Sequence, residues 1–441
     1  MNARLNLMAR LFATAAALLR GLQPEDAGVR EAEALLQELG YAAGPDDEAL
    51  HRARLLEAVG QFARFFELGA PEAPGLFCFG AEVDPASIDP IHRGSAMLGV
   101  SGVGLSMQEA FQRCAGEGIE YLSQLQSGDD RLLPSGATAG RALLSPDVVA
   151  RLAGRPDAQL SWYPARRLMD GAEVLLPADL CLRRPEAERD FLVPFPLSIG
   201  SAAGPSLDGA LLHGLLELIE RDAASLWWRG GRLPCAIDAN AVGGDALLRK
   251  LRPAGVARRR SWLLDITTDI GVPTVAAVSC GSDGHGFAFG LATRPTLASA
   301  ARSAMLEMCQ LELAYSVIEA KRRERGEAGL NARDRLHLDR ATRIDADRCQ
   351  LLQPSGEQAE HIAIDASEPA AARAAIVRRL ESLGIEAYFI DLTRPRFAVP
   401  VARVIVPALQ IEPSEIVTPR LAEIIAQTGG GAVYTGGVAL L

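Results

Sequence analysis

Apolar residues in the first part of the chain recur at three- and four-residue spacing: Leu35, Leu36 and Leu39, then Leu55, Leu56, Val59, Phe62, Phe65 and Phe66. That period puts them on one face of a helix, so residues 1 to about 70 are predicted helical throughout, up to the Pro/Gly break PEAPG at 71–75. Beyond about residue 90 the texture changes to Gly-rich turns, helical stretches and short β-branched runs, TVAAVSC (274–280), AYFIDLT (387–393) and PVARVIVPAL (400–409). The mixture predicts an α/β or α+β domain of catalytic size.

Two internal repeats sharpen this. Three times a Gly-containing segment leads into an apolar helix: GVGLSMQEAFQRCAGEGIEYL (102–122), IGSAAGPSLDGALLHGLLELIERDA (199–223) and FGLATRPTLASAARSAMLEMCQLEL (289–313). In each, an alanine (Ala110, Ala210, Ala300) precedes a glutamate (Glu117, Glu217, Glu307) by seven, and a small residue (Cys114, Gly214, Ala304) precedes it by three. The second repeat is strand-like. LLDITTDIGVPTVAAV (263–278) resembles FIDLTRPRFAVPVARVIV (389–406), with Asp265 or Asp391 expected to cap a turn at a strand end. A duplicated, intertwined fold is predicted.

Residues three apart share a helix face, so Glu117 with Glu120 and Glu217 with Glu220 each present two carboxylates side by side. A single E-x-x-E is ordinarily a solvated pair. Three helices in register, each apolar elsewhere and each following a Gly loop, favour a gathered set of hard oxygen ligands suited to Mg²⁺ carrying a nucleotide triphosphate. Arg221 adds a planar fork for a phosphate. Gly102, Gly104, Gly200 and Gly204 would let backbone N–H groups approach phosphates at helix starts, although Gly turns before helices are common. No GxxxxGK[ST] sequence is present, which excludes a P-loop site.

Charge and cysteine usage narrow the field. The 441 residues carry 45 Lys+Arg against 55 Asp+Glu, a formal charge of −10, and this argues against a phosphate-backbone partner. The basic stretch KRRERGEAGLNARDR (321–335) reads as a solvated helix end and loop. Seven cysteines without a CxxC pair do not form a disulfide framework, and a reducing cytoplasm is the simplest compartment. Arg10 interrupts the apolar start MNARLNLMARLFATAAALLRGL, which is expected to be a folded amphipathic helix; no run is long enough to span a bilayer. The six histidines show no HxxxH or HExxH spacing, and His213 is expected to be an ordinary helix residue. Cys114 and Cys309 are expected to pack rather than react, and Trp227–Trp228 to lie in the core or at its rim. The end, QTGGGAVYTGGVALL, is expected to be a flexible tail.

The stretch Ser198-Ile199-Gly200-Ser201-Ala202-Ala203-Gly204, followed by ALLHGLLELIERDAASLWW, resembles the S-N-G-x-A-A-G…L-x-E-x-x-E-R-D signature of YcaO-domain proteins. GVGLS…CAGEGIEY, ASAARSAMLEMCQ and IDLTRPRFAVPVARVIVP resemble the family's remaining segments, in the expected order over about residues 90–410. The resemblance implies an α+β YcaO-type fold with duplicated, intertwined sheet and helix halves. The N-terminal helical region (1–88), longer than a minimal core needs, is expected to dock a partner or cap the core, ahead of a catalytic domain (89–441). The resemblance further implies ATP- and Mg²⁺-dependent phosphorylation of a peptide backbone amide oxygen in a ribosomally made precursor peptide, followed by attack of Cys, Ser or Thr to give thiazoline or oxazoline.

By the same resemblance Glu117, Glu120, Glu217 and Glu220 hold Mg²⁺–ATP, Arg221 contacts phosphate, Glu217, Glu220 and Arg221 carry catalysis, and Ser106, Glu307 and Gln310 complete the nucleotide site. Expected partners are the precursor peptide, an E1-like leader-binding subunit and a flavin dehydrogenase; a homodimer is compatible, and neither nucleic acid nor membrane is expected. The chain departs from the signature at Ile199, Pro205 and Gly209, with Asp208 adjacent to the last. Those departures, and the lack of a Pro-rich C-terminus, leave two alternatives: a thioamide-forming enzyme with a sulfur-delivering partner, and a non-catalytic scaffold.

Overall fold

The computed structural model describes every residue except 1, 25–27, 42–46, 155–158, 193–194, 254–258, 356–358 and 412–413, with side chains described from residue 7 onward. Three helices come first: α1 (Asn2–Leu19), α2 (Val29–Glu38) and α3 (Asp47–Val59). Then follow β1 (Arg64–Glu67), β2 (Phe77–Val83), β3 (Leu98–Gly104), α4 (Met107–Gln124), β4 (Leu133–Pro134), α5 (Pro146–Ala153), β5 (Ser161–Arg167), β6 (Glu173–Pro177), α6 (Ala178–Cys181), β7 (Ser201–Ala203) and α7 (Leu207–Trp228). The chain continues through β8 (Cys235–Ala236), α8 (Gly244–Leu251), β9 (Arg260–Asp265), β10 (Thr274–Cys280), β11 (Ala288–Thr293), α9 (Leu297–Arg325), α10 (Ala332–Arg343) and α11 (Pro369–Ser382). It closes with β12 (Tyr388–Asp391), β13 (Val401–Ile405), α12 (Pro419–Thr428) and α13 (Ala432–Thr435).

These elements form two compact units, each assembled from three stretches of sequence. Unit 1 is Met1–Leu68, Phe77–Leu215 and Glu386–Val406; unit 2 is Gly69–Leu76, Leu216–Ile385 and Pro407–Leu441. Unit 1 holds the sheet β1-β2-β3 and the sheet β4-β5-β12-β13-β7, with β6 paired to β5; unit 2 holds β11-β10-β9-β8. Every pairing within these sheets is antiparallel.

The strand repeat folds twice in the same way. Asp265 Oδ1 accepts from Thr267 N and Asp391 Oδ1 from Thr393 N, each at 2.9 Å, so both aspartates cap strand-end turns. Thr267 Oγ1 then accepts from Thr274 N at 2.9 Å, and Thr393 Oγ1 from Val401 N at 3.1 Å. Ile266 N donates to Thr274 O and Leu392 N to Val401 O, at 2.9 and 2.8 Å. The shared D-(I/L)-T sequence dictates both turns, because the carboxylate and the threonine hydroxyl supply the partners that backbone groups lose where pairing stops.

The helical forecast for residues 1–70 needs one correction. α3 ends at Val59, and Arg64–Glu67 form a strand that pairs with β2, Phe65 opposite Ala81. Phe65 stacks on Phe79 with ring centroids 5.0 Å apart and meets Phe111 edge-on at 5.5 Å. Phe66 is 41% exposed. The F-x-x-F-F spacing suits a helix by period, but alternate sides of a strand serve Phe65 and Phe66 equally well.

A second correction concerns the Gly-rich end, which is folded into unit 2. Val438 and Leu440 join the core of Trp227, Trp228, Phe287, Phe289 and Leu264, and Trp228 Nε1 donates to Val438 O at 2.7 Å. Gly431 lies so close to Trp228 O that any Cβ would collide, and Gly429, Gly430, Gly436 and Gly437 all have positive φ. These glycines form tight turns against the tryptophans rather than a loose tail. Among the described residues no helix is long and apolar enough to cross a membrane. All seven cysteines are free and buried.

Candidate functional site

Two of the three repeated helices, α4 and α9, pack on a glycine-bearing strand. On β3, a Cβ at Gly102 would stand 2.6 Å from Ala110 O and would collide with Cys114 N; on β11, one at Gly290 would collide with Ala304 O and Met308 N. The small residues three and seven before the glutamate therefore let helix backbone touch strand backbone. Gly102, Gly104 and Gly204 all face helix atoms at contact distance. In this structure they close helix–strand packing, which is a fuller account of them than phosphate approach.

That packing brings each glutamate back onto its own strand. Glu117 Oε2 accepts from Ser101 N at 2.9 Å, and Glu307 Oε2 accepts from Leu291 N at 2.8 Å, the same sixteen-residue span in both units. One oxygen of each carboxylate is thus fixed by a backbone N–H.

In unit 2 the carboxylates surround an arginine. Arg221 Nη2 lies 3.5 Å from Glu217 Oε1 and 3.7 Å from Glu220 Oε1. Its Nε is buried with no hydrogen-bond partner among the described residues. Glu220 is buried, and Thr293 N donates to its Oε2 at 3.2 Å. Burial pushes the Glu220 carboxyl up to about 8, with Glu307 and Glu217 adding to the effect and Arg221 and Arg294 opposing it. The guanidinium of Arg221, in turn, is raised by the fields of Glu220, Glu217 and Glu307 against its own desolvation. Three carboxyl groups thus crowd the fields of Arg221 and Arg294.

Unit 1 carries Glu117 and Glu120 on α4. Glu120 Oε1 accepts from Gln124 Nε2, whose Oε1 accepts from Arg183 Nη2, both at 3.3 Å. Arg183 lies over the Tyr121 ring at 5.0 Å and is lowered by burial. Ser106 is the N-cap of α4, its Oγ accepting from Glu109 N at 3.2 Å. Gln310 is half-buried on α9, one turn beyond Glu307.

Two residues were not singled out from sequence. Arg294, at the turn between β11 and α9, acts on Glu220 by charge. Asp222, fully buried, accepts from Gln410 N at 2.8 Å and pairs with Arg420 Nη2 at 3.0 Å, so it anchors α12 to the residue beside Arg221. Its place in the E-R-D run was the available signal. Cys114 and Cys309 are raised by burial, Cys309 to about 12, which leaves both as inert thiols. Trp227 is core, its Nε1 donating to Leu351 O at 2.7 Å. Of the three departures, Ile199 is buried and its carbonyl accepts from Arg403 Nη1 at 3.2 Å.

Among the described residues no three His, Cys, Asp or Glu side chains are gathered closely enough to hold a metal. The donors are nonetheless right in kind for Mg²⁺ with phosphate. They are clustered carboxyl oxygens and a guanidinium with a spare buried N–H. Mg²⁺ is ordinarily held by one or two carboxylates together with substrate phosphates, so it needs no cage formed by protein alone.

Residues 101–410 match the family described as YcaO cyclodehydratase, ATP- and Mg²⁺-binding. The chain belongs to the YcaO family. An uncharacterised protein of Methanothermobacter thermautotrophicus is 29% identical over 57% of this chain and 66% of its own length. A protein from the tfuA 3′ region of Rhizobium leguminosarum bv. trifolii is 30% identical over 40% of this chain and 44% of its own. The fold is shared with a heterocyclase solved with substrate and cofactor, at TM-score 0.68 and 20% identity over 87% of this chain and 55% of that one. It is shared too with the YcaO of Methanopyrus kandleri bound with AMPPCP and Mg²⁺, at TM-score 0.59 and 18% identity over 84% and 93%. The chain thus spans less than two thirds of the first curated relatives and about half of that heterocyclase.

Proposed function

We propose that this protein uses ATP and Mg²⁺ to phosphorylate backbone amide oxygens of a precursor peptide, and that Cys, Ser or Thr side chains then close to thiazoline or oxazoline. The observation that supports it best is Arg221, its Nε unpartnered, among Glu217, Glu220 and Glu307 on the family's own motif. In this reading Glu117, Glu120, Glu217 and Glu220 hold Mg²⁺, Arg221 binds a phosphate, and Ser106, Glu307 and Gln310 complete the nucleotide contacts. Bound Mg²⁺ supplies charge neutralisation on the transferring phosphoryl group.

The chain's own residues set the stage for that transfer. Leu291 N and Ser101 N orient Glu307 and Glu117 by taking one oxygen of each. Arg221 is rigidly based, because Asp222 beside it is clamped by Gln410 N and Arg420. A fixed guanidinium loses little entropy when it meets a phosphate, and phosphoryl transfer depends mainly on such positioning and charge stabilisation. A leader-binding partner subunit and a dehydrogenase would act with it, the first on peptide recognition and the second on oxidation to azole.

The test is phosphate release with the cognate peptide and partner, followed by mass spectrometry of the peptide. Loss of one water per modified site is expected; oxygen replaced by sulfur would assign thioamide formation instead, and no peptide-dependent release would leave a scaffold. Glu217→Gln and Glu220→Gln are each expected to abolish turnover while the protein stays folded.

A further inference from the structure

Unit 2 contains a cavity of about 1070 Å³ lined by none of Glu217, Glu220, Arg221 and Glu307, which reaches the clamp on Asp222 at Arg420. That is the upper end of the range for small-ligand pockets and leaves room for a short peptide segment. The charges in its lining are sorted by depth. Glu360 and Glu423 are exposed, whereas Arg232 and Arg379 are half-buried.

The partners of these side chains decide what the cavity lacks. Asp269 is fully engaged, with its Oδ1 2.6 Å from Arg420 Nη2 and its Oδ2 3.0 Å from Arg420 Nη1, and Arg420 also pairs with Asp222. His361 Nε2 is held 2.8 Å from Asp265 Oδ2. Arg232 and Arg379, by contrast, donate only to main-chain carbonyls: Arg232 Nη1 to Ile266 O at 3.1 Å, Arg379 Nε to Ile270 O at 3.2 Å and Nη2 to Asp269 O at 2.5 Å. Neither forms an ion pair among the described residues. Two half-buried guanidiniums are therefore fixed in place by neutral acceptors, although the field of Arg232 reaches Asp269. A guanidinium held in this way is pre-oriented for a carboxylate. Leu226, Ile424 and Tyr434 line the same cavity and offer apolar surface beside the charge.

We propose that this cavity binds an acidic segment of a peptide, with carboxylates on Arg232 and Arg379 and apolar side chains against Leu226, Ile424 and Tyr434. The peptide occupant rests on the reading of the protein as a peptide-modifying enzyme. Through Arg420 and Asp222 the site adjoins the base of Arg221.

The experiment measures binding, not turnover, so its failure is distinguishable from failure of the catalytic reading. The full chain is titrated into a fluorescein-labelled octapeptide alternating glutamate with leucine, and into the same peptide with glutamine in place of glutamate. Saturable, salt-sensitive binding of the glutamate peptide only is expected, weakened about tenfold or more by Arg379→Gln and by Arg232→Gln, with Arg379→Lys retaining part of it. ATP affinity is expected to stay unchanged in all three variants. Equal binding of the two peptides, or unchanged binding by both Gln variants, overturns the proposal. Complete displacement by millimolar inorganic phosphate, with no requirement for the leucines, would assign a free-oxyanion site and overturn it too.

Discussion

The helices α4 of unit 1 and α9 of unit 2 are the same device loaded differently. Both lie on a strand glycine, and both return a glutamate oxygen to a strand N–H sixteen residues earlier. In unit 1 Glu117 is exposed, and Glu120 is joined to the half-buried Arg183 by hydrogen bonds through Gln124 and by its field. In unit 2 Glu307 shares a buried neighbourhood with Glu217, Glu220 and Arg221, and Glu220 is pushed up to about 8. The comparison separates two things a repeat can conserve. The glycine-on-helix packing recurs, although the glycine meets Ala110 and Cys114 in unit 1 and Ala304 and Met308, one turn further along, in unit 2, while the electrostatic load is set by what surrounds each copy.

The largest effects should be those common to both copies. Gly102→Ala and Gly290→Ala each drive a Cβ into helix backbone, which has no rotamer by which to yield. Overpacking of this kind is expected to cost about 3 kcal/mol or more. Chemical denaturation should find both variants severely destabilised and by similar amounts. A mild loss at one position alone would mean the two copies are not packed alike.

Next comes a property that only unit 2 should show. Glu220 binds its proton more tightly folded than unfolded, so its contribution to stability is greatest below pH about 4.5 and is lost as pH rises to about 8. Without metal or nucleotide the loss should approach about 1.4 kcal/mol per pH unit within that window. Glu220→Gln, which mimics the protonated form, should flatten this slope and be more stable than the parent at pH 8.5. Glu120→Gln should leave the slope as it is. Denaturation midpoints measured from pH 5 to 8.5 decide the matter.

Much of this was legible from residues alone. The E-x-x-E-R run, the alanine and small residue ahead of each glutamate, and the D-(I/L)-T turns have short-range physical meanings that survive into the fold. Other features were invisible for equally physical reasons. Phe65 and Phe66 satisfy helical and strand periods alike, and only their pairing with β2 chooses between them. The glycines of the C-terminus look loose until Trp228 is seen pressed against Gly431. The raised Glu220 beside Arg221 needs burial, which no spacing reports, and Asp222 acquires its role from Gln410 and Arg420, almost two hundred residues away. The extents proposed for an N-terminal helical region and a catalytic domain follow sequence texture, whereas the compact units interleave three stretches each.

The smallest predicted difference tests the comparison most finely, because it concerns the one hydrogen bond both copies share. Removing the acceptor from a buried N–H costs about 1–3 kcal/mol, whereas water replaces it cheaply at an exposed one. Leu291 is buried and Glu307 half-buried, so Glu307→Ala should cost about 1–2 kcal/mol. Glu117 is exposed, and Glu117→Ala should cost about 0.5 kcal/mol. Glutamine at either position keeps an oxygen for the same N–H and should recover most of the loss. Equal costs for the two alanine variants would show that Glu117 is as enclosed in solution as Glu307, and the contrast between the units would then lie in Arg221 alone.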